Sequence, residues 1–155
     1  ATQSLDAALT RSLLTKFKAL VHSSSSIYLC ATSESQYILM ELFSYLLLKK
    51  GFPTSRIRIT LASELTTMIF ERLSRQSLVI FFSANAKSTV VRSAILNLNK
   101  REISTILITQ YSNDALEKEV KLLLAMNFPS HLPSLSRYRL GLSSLFINYL
   151  VEKAL

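Results

Sequence analysis

Residues Leu78–Thr89 read LVIFFSANAKST, and the change of character inside that stretch decides the fold. Leu78, Val79, Ile80, Phe81 and Phe82 form an unbroken apolar run that stops at Ser83. Asn85, Lys87, Ser88 and Thr89 follow, and helical spacing begins there. A short continuous apolar run between polar breaks fits a strand buried on both faces. A strand, a polar turn and a helix start form the place where α/β proteins hold anions. The helix N-terminus offers free N–H groups and a positive dipole end. The turn supplies hydroxyls, an amide and a lysine, and contains no glycine.

The same unit recurs on both sides. Leu5, Leu9, Leu13, Phe17 and Leu20 keep helical spacing, so the first twenty residues read as an amphipathic helix. After the polar break Ser23–Ser26, Ile27–Cys30 reads as a short buried strand and Ala31–Ser35 as a polar turn. A helix from about Gln36 to Lys50 stops at Gly51, with Pro53 just beyond. Arg56–Leu61 alternates like a strand, and Ala62–Leu73 is the next helix. Ser77–Phe82 is the central strand, and Lys87–Lys100 is the helix after the opening turn. Ile103–Thr109 is a buried strand ending at the turn Gln110–Asn113, and Asp114–Lys118 is a helical turn. Val120–Ala125 is a last strand, weak by propensity. Leu135–Ala154 is a terminal helix with apolar spacing at Leu142, Leu145, Phe146, Tyr149 and Leu150.

Strands alternating with helices imply a parallel sheet covered on both faces, with right-handed crossovers. The expected fold is a three-layer α/β/α sandwich around a five-stranded parallel sheet in the flavodoxin-like order 2-1-3-4-5. Ligands bind such a sheet outside the strand carboxyl ends, where the strand order reverses. The turns Ala31–Ser35 and Ser83–Thr89 are expected to flank that point.

Composition narrows the function classes. With 155 residues, 49% hydrophobic and 18% charged, the chain suits one globular domain. No apolar run approaches the roughly 20 residues needed to span a bilayer. The start ATQSLDAALTRSLL lacks the order of a signal peptide. Cys30 is the sole cysteine, which leaves no internal disulfide or cysteine metal site within this sequence. His22 and His131 have no partner at ligand spacing, so no metal is expected. Glu41 and Glu64 lack a paired carboxylate for acid–base work. No cofactor is expected. The net charge of +8 is dispersed rather than gathered into a nucleic-acid motif. An anionic small molecule or an acidic partner accounts for it better, and a cytoplasmic location is the simplest expectation.

The two turns carry a resemblance. The chain resembles the SIS (sugar isomerase) domain, a phosphosugar-binding module. Its first loop, Gly-x-Gly-x-Ser, corresponds to Ala31, Thr32, Ser33, Glu34 and Ser35. Its second, Ser-x-Ser-Gly-x-Thr, corresponds to Ser83, Ala84, Asn85, Ala86, Lys87 and Ser88. Ser35 and Ser83 match that pattern and Ser88 replaces a threonine. Ala31 and Ser33 stand where the first loop has glycines, and Asn85 and Ala86 replace the central Ser-Gly of the second. The strand ISTILIT and Gly51 fit the same pattern. The tail LPSLSRYRLGLSSLFINYLVEKAL is similar to the end of the effector domain of RpiR-type transcriptional regulators. The resemblance spans the chain from Leu5 onward, as a single SIS domain over residues 1–155.

The resemblance implies a phosphorylated sugar held by Ala31, Thr32, Ser33, Ser35, Ser83, Asn85, Ala86, Lys87 and Ser88. It also implies a homodimer, with the apolar faces of the first and last helices as candidate contacts. DNA would be reached only through an N-terminal helix-turn-helix domain absent from this sequence, and no membrane contact is implied. Ser and Asn also cap helices routinely, so a capping reading of both turns stands beside the ligand reading. Two rival functions remain: a single-domain sugar-phosphate isomerase, and a degenerate SIS domain that serves only oligomerisation.

Overall fold

The computed structural model describes residues 5, 7–58, 64–85, 88–128 and 136–155. Five parallel strands form one sheet: β1 (Ser26–Ala31), β2 (Thr54–Arg58), β3 (Ser77–Ser83), β4 (Ser104–Thr109) and β5 (Leu122–Ala125). Their order is β2-β1-β3-β4-β5, as the sequence implies. The helices are α1 (Arg11–Ser23), α2 (Glu34–Lys49), α3 (Glu64–Glu71), α4 (Thr89–Lys100), the single turn α5 (Asp114–Glu117) and α6 (Ser136–Ala154).

Strand pleat divides the core into two. All seven residues of β3 are buried. Leu78, Ile80 and Phe82 face a cluster containing Phe17 and Val21 of α1, Phe43 and Leu47 of α2, and Phe146 and Leu150 of α6. Val79 and Phe81 face the opposite cluster, with Phe70 of α3, Val91 and Ile95 of α4, and Leu116 of α5. The alternation follows from the two-residue period of side chains along a strand. Phe43 joins the layers: its ring lies 6.1 Å from Phe17 and 5.4 Å from Phe82 between centroids. Burying one such side chain stabilises by roughly 1.5–3 kcal/mol.

Several element boundaries differ from the sequence reading, for local reasons. The expected first helix is broken: Leu5, Ala7 and Ala8 are helical, the chain departs from the helix at Leu9 and Thr10, and α1 restarts at Arg11 because Thr10 caps it, accepting from Leu13 N at 3.4 Å. Residues 1–4 and 6 lie outside the described region. β2 begins at Thr54, directly after Pro53, rather than at Arg56. The expected residues 59–61 of that strand and 62–63 of the next helix also lie outside the described region. β1 and β3 each extend one residue further, through Ala31 and Ser83. The α6 stripe is rotated from the one expected. Ser143, Phe146, Ile147, Leu150, Val151 and Ala154 are buried, whereas Leu145 is 53% exposed. The apolar faces of α1 and α6 cover this chain's own sheet, and Tyr138 and Leu145 are the large apolar side chains that α6 leaves exposed.

The C-terminus of α2 follows the glycine signal. Gly51 has φ +92°. Its N–H bonds Leu48 O at 2.9 Å, and Phe52 N–H bonds Leu47 O at 2.9 Å. That pair of bonds is a Schellman closure. The end of α3 is closed by a side chain instead. Arg101 donates to Phe70 O, to Glu71 O at 3.0 Å and to Leu73 O at 2.7 Å.

Candidate functional site

The strand order reverses between β1 and β3, so the crevice of this sheet opens beyond Ala31 and Ser83. Thr32 Oγ1 donates to Phe82 O at 3.5 Å, joining the two strand ends. The loop after β3 is tied to β4 as well. Ala84 O accepts from Gln110 N at 2.9 Å and from Thr109 Oγ1 at 3.1 Å. Both lone pairs of that carbonyl are thereby engaged.

A cleft of about 150 Å³ lies at these ends. Ser35, Gln36 and Leu39 of α2 line it, with Ala84 after β3, Gln110 after β4, and Arg139 and Leu140 of α6. Among the described residues, no carboxylate and no imidazole lines it.

The expected contact residues take defined places. Ala31 ends β1 with its side chain in the core. Ser33 is the N-cap of α2, where its Oγ accepts from Gln36 N at 3.4 Å. Its Oγ also lies 3.3 Å from that of Ser35, which lines the cleft. Ser83 is buried and makes a further polar contact, as does the exposed Asn85. Ser88 is the N-cap of α4, accepting from Val91 N at 3.5 Å. Ala86, Lys87 and His131 lie outside the described residues. The capping reading therefore holds for Ser33 and Ser88. A hydroxyl whose oxygen caps a helix still has its proton to donate, so capping and anion binding are compatible.

Sequence reasoning missed most of the cleft wall. Gln36 is 2% exposed, and its Nε2 is buried without a hydrogen-bond partner. Arg139 Nε is likewise buried and unpaired. The Arg139 guanidinium lies over the Tyr111 ring, 5.7 Å from its centroid, and Tyr111 packs edge-on against Phe128 at 6.5 Å. A signal for both residues was present in the helical spacing. Gln36, Met40, Phe43 and Leu47 share one buried stripe of α2. Arg139 precedes Ser143, Ile147 and Leu150 at the same spacing on α6. Each polar residue thus continues a core-facing stripe at the cleft end of its helix.

Other chemistry is sparse. Cys30 is fully buried, and desolvation pushes its thiol pKa well above the ordinary value. Among the described residues, no cluster of His, Cys, Asp and Glu is arranged to hold a metal, and no helix is long and apolar enough to cross a membrane.

No protein-family model matches the sequence, and no curated protein matches it. Solved structures do match in shape. The sugar isomerase domain of an RpiR transcription factor from Sphaerobacter thermophilus superposes with a TM-score of 0.80 at 15% identity, covering 99% of this chain and 84% of that one. Vibrio vulnificus NanR, complexed with ManNAc-6P, gives 0.75 at 19% identity and 99% coverage of this chain. The chain spans 60% of that NanR chain. A putative sugar-phosphate isomerase from Listeria monocytogenes gives 0.71 at 11% identity, covering 99% of this chain and 84% of that one. The fold is that of sugar isomerase domains, shared by regulators and by isomerases alike.

Proposed function

We propose that this chain is the phosphosugar-sensing effector domain of an RpiR-type transcriptional regulator of carbohydrate metabolism. The observation that carries the reading is the cleft at the switch point, beside strand ends whose following helices begin at Ser33 and Ser88. A phosphate set there meets the first turn of α2 and the Ser35 hydroxyl that lines the cleft. The solved relatives support the class of ligand, since NanR holds ManNAc-6P. Sensing rather than turnover is supported by the cleft's chemistry. Sugar-phosphate isomerisation needs a positioned base, and the described lining offers amides, a hydroxyl and a guanidinium. As a sensor, the domain acts in the cytoplasm as a homodimer. It acts through differential affinity for two dimer arrangements, and an attached helix-turn-helix domain reads them.

The test is a thermal-shift and calorimetric screen against pentose and hexose phosphates, run beside turnover assays on the same panel. Binding raises the melting temperature in proportion to RT ln(1 + [L]/Kd). Saturable binding without conversion is the expected result. Conversion of any bound sugar establishes the isomerase instead. A flat response across the panel leaves the fold a scaffold and overturns the sensing role.

A further inference from the structure

We infer that the ligand of this cleft carries a carboxylate in addition to its phosphate, making it a phosphorylated sugar acid, with Arg139 and Gln36 as the carboxylate's receptors. This rests on the phosphosugar reading and goes further by naming the second group. The helix-capping serines that suit a phosphate belong to the starts of α2 and α4. Arg139 comes from the other end of the chain, on α6, and with Gln36 contributes to the same cleft wall.

Both residues present donors and neither has found an acceptor. Gln36 Nε2 and Arg139 Nε are buried with no hydrogen-bond partner. A buried donor left unpaired is costly, and an acceptor brought by a ligand into the cleft would relieve that cost at both residues. Among the described residues no acidic side chain pairs with Arg139. Instead, Tyr111 lies 5.7 Å from its guanidinium and is itself braced by Phe128. That platform fixes the orientation of the cation without neutralising it. A planar guanidinium recognises a carboxylate through two parallel bonds. Gln36 lines the same cleft and adds a further donor, and Leu39 and Leu140 supply the apolar part of the lining.

The probes are matched pairs differing in one group. They are 6-phosphogluconate against glucitol 6-phosphate, and the corresponding five- and four-carbon acids and alditols. Calorimetry on the full chain is run with wild type, Arg139→Gln, Arg139→Lys and Gln36→Leu, each checked for an intact thermal melt. For at least one pair, wild type should favour the acid by tenfold or more. Arg139→Gln should bring that ratio to within twofold, weakening the acid at least fivefold more than the alditol phosphate. Arg139→Lys, which keeps the charge but loses the fork, should retain an intermediate preference. Equal binding of acid and alditol by wild type overturns the inference alone. An equal loss of both ligands in Arg139→Gln also overturns it, by putting Arg139 on the phosphate. Binding of neither class overturns the sensing reading together with it.

Discussion

Thr109 Oγ1 lies 3.1 Å from Ala84 O and 3.1 Å from Tyr111 O, so one hydroxyl links the end of β4 to the loop after β3 and to its own turn. The single hydroxyl proton is shared between the two carbonyls, and the oxygen accepts from Tyr111 N at 3.4 Å. Thr109 is 1% exposed, so water cannot replace these bonds. The hydroxyl thereby sets the spacing of Ala84 and Gln110, two walls of the cleft, and of Tyr111 beneath Arg139. Thr109→Val keeps the β-branched shape and deletes the bonds. It should cost about 1–3 kcal/mol in urea unfolding, as expected for leaving buried polar groups unpaired. It should also weaken phosphosugar affinity several-fold. Unchanged affinity at reduced stability would show that the linkage does not shape the cleft.

Ser88 combines a structural and a proposed binding role, and two substitutions separate them. Ser88→Ala removes the N-cap of α4 and should lower stability by about 1 kcal/mol. Ser88→Asp caps the helix as well as serine does and favours the dipole, but sets a negative charge where a phosphate is proposed. The aspartate variant should therefore melt near the wild-type temperature and lose at least tenfold in phosphosugar affinity. Full affinity in Ser88→Asp would remove Ser88 from the phosphate site.

The sheet was more legible than the site. β1, β3 and β4 announce themselves as continuous apolar runs because both their faces are covered. The order β2-β1-β3-β4-β5 is consistent with the polar turns after β1 and β3 flanking the point where the strand order reverses. The cleft wall was not legible by motif, because residues 36, 84, 110 and 139 meet only through the topology. In the sequence, Arg139 is one basic residue among the dispersed charges of a chain with net charge +8. Only its place on the stripe of Ser143, Ile147 and Leu150 marks it as inward. The α6 stripe was misplaced by its leucines, since Leu145 is exposed while Ser143 is buried. Hydrophobicity alone mistook the helix's phase there.

Gly51 offers a test of backbone conformation free of packing. At φ +92° it sits where an L side chain is strained, yet an added Cβ would meet nothing within 4 Å. Gly51→Ala should thus destabilise by about 1 kcal/mol through conformation alone. Loosening the Schellman closure should also speed amide exchange at Gly51 and Phe52, whose N–H groups bond Leu48 O and Leu47 O. Wild-type stability in Gly51→Ala would mean that the helix end rearranges without cost.

Cys30 gives a prediction whose sign follows from burial. It is fully buried in β1 beside Ile57 and Phe81, and desolvation raises its thiol pKa above the ordinary value of 9.0. In the unfolded chain the thiol ionises normally, so above that value the unfolded state binds fewer protons than the folded one. Stability from the neutral buried thiol is complete below pH 9.0 and falls as pH rises beyond it. One proton of difference corresponds to about a tenfold change in the unfolding constant per pH unit. Cys30→Ala leaves a smaller side chain in the sheet and lowers stability at neutral pH. Over the alkaline range, however, its stability should decline less steeply than that of wild type. The native thiol should also resist a water-soluble disulfide reagent at pH 8 and react fully once guanidinium unfolds the chain. Rapid labelling of folded protein, or identical alkaline slopes for the two proteins, would contradict a sealed and neutral Cys30.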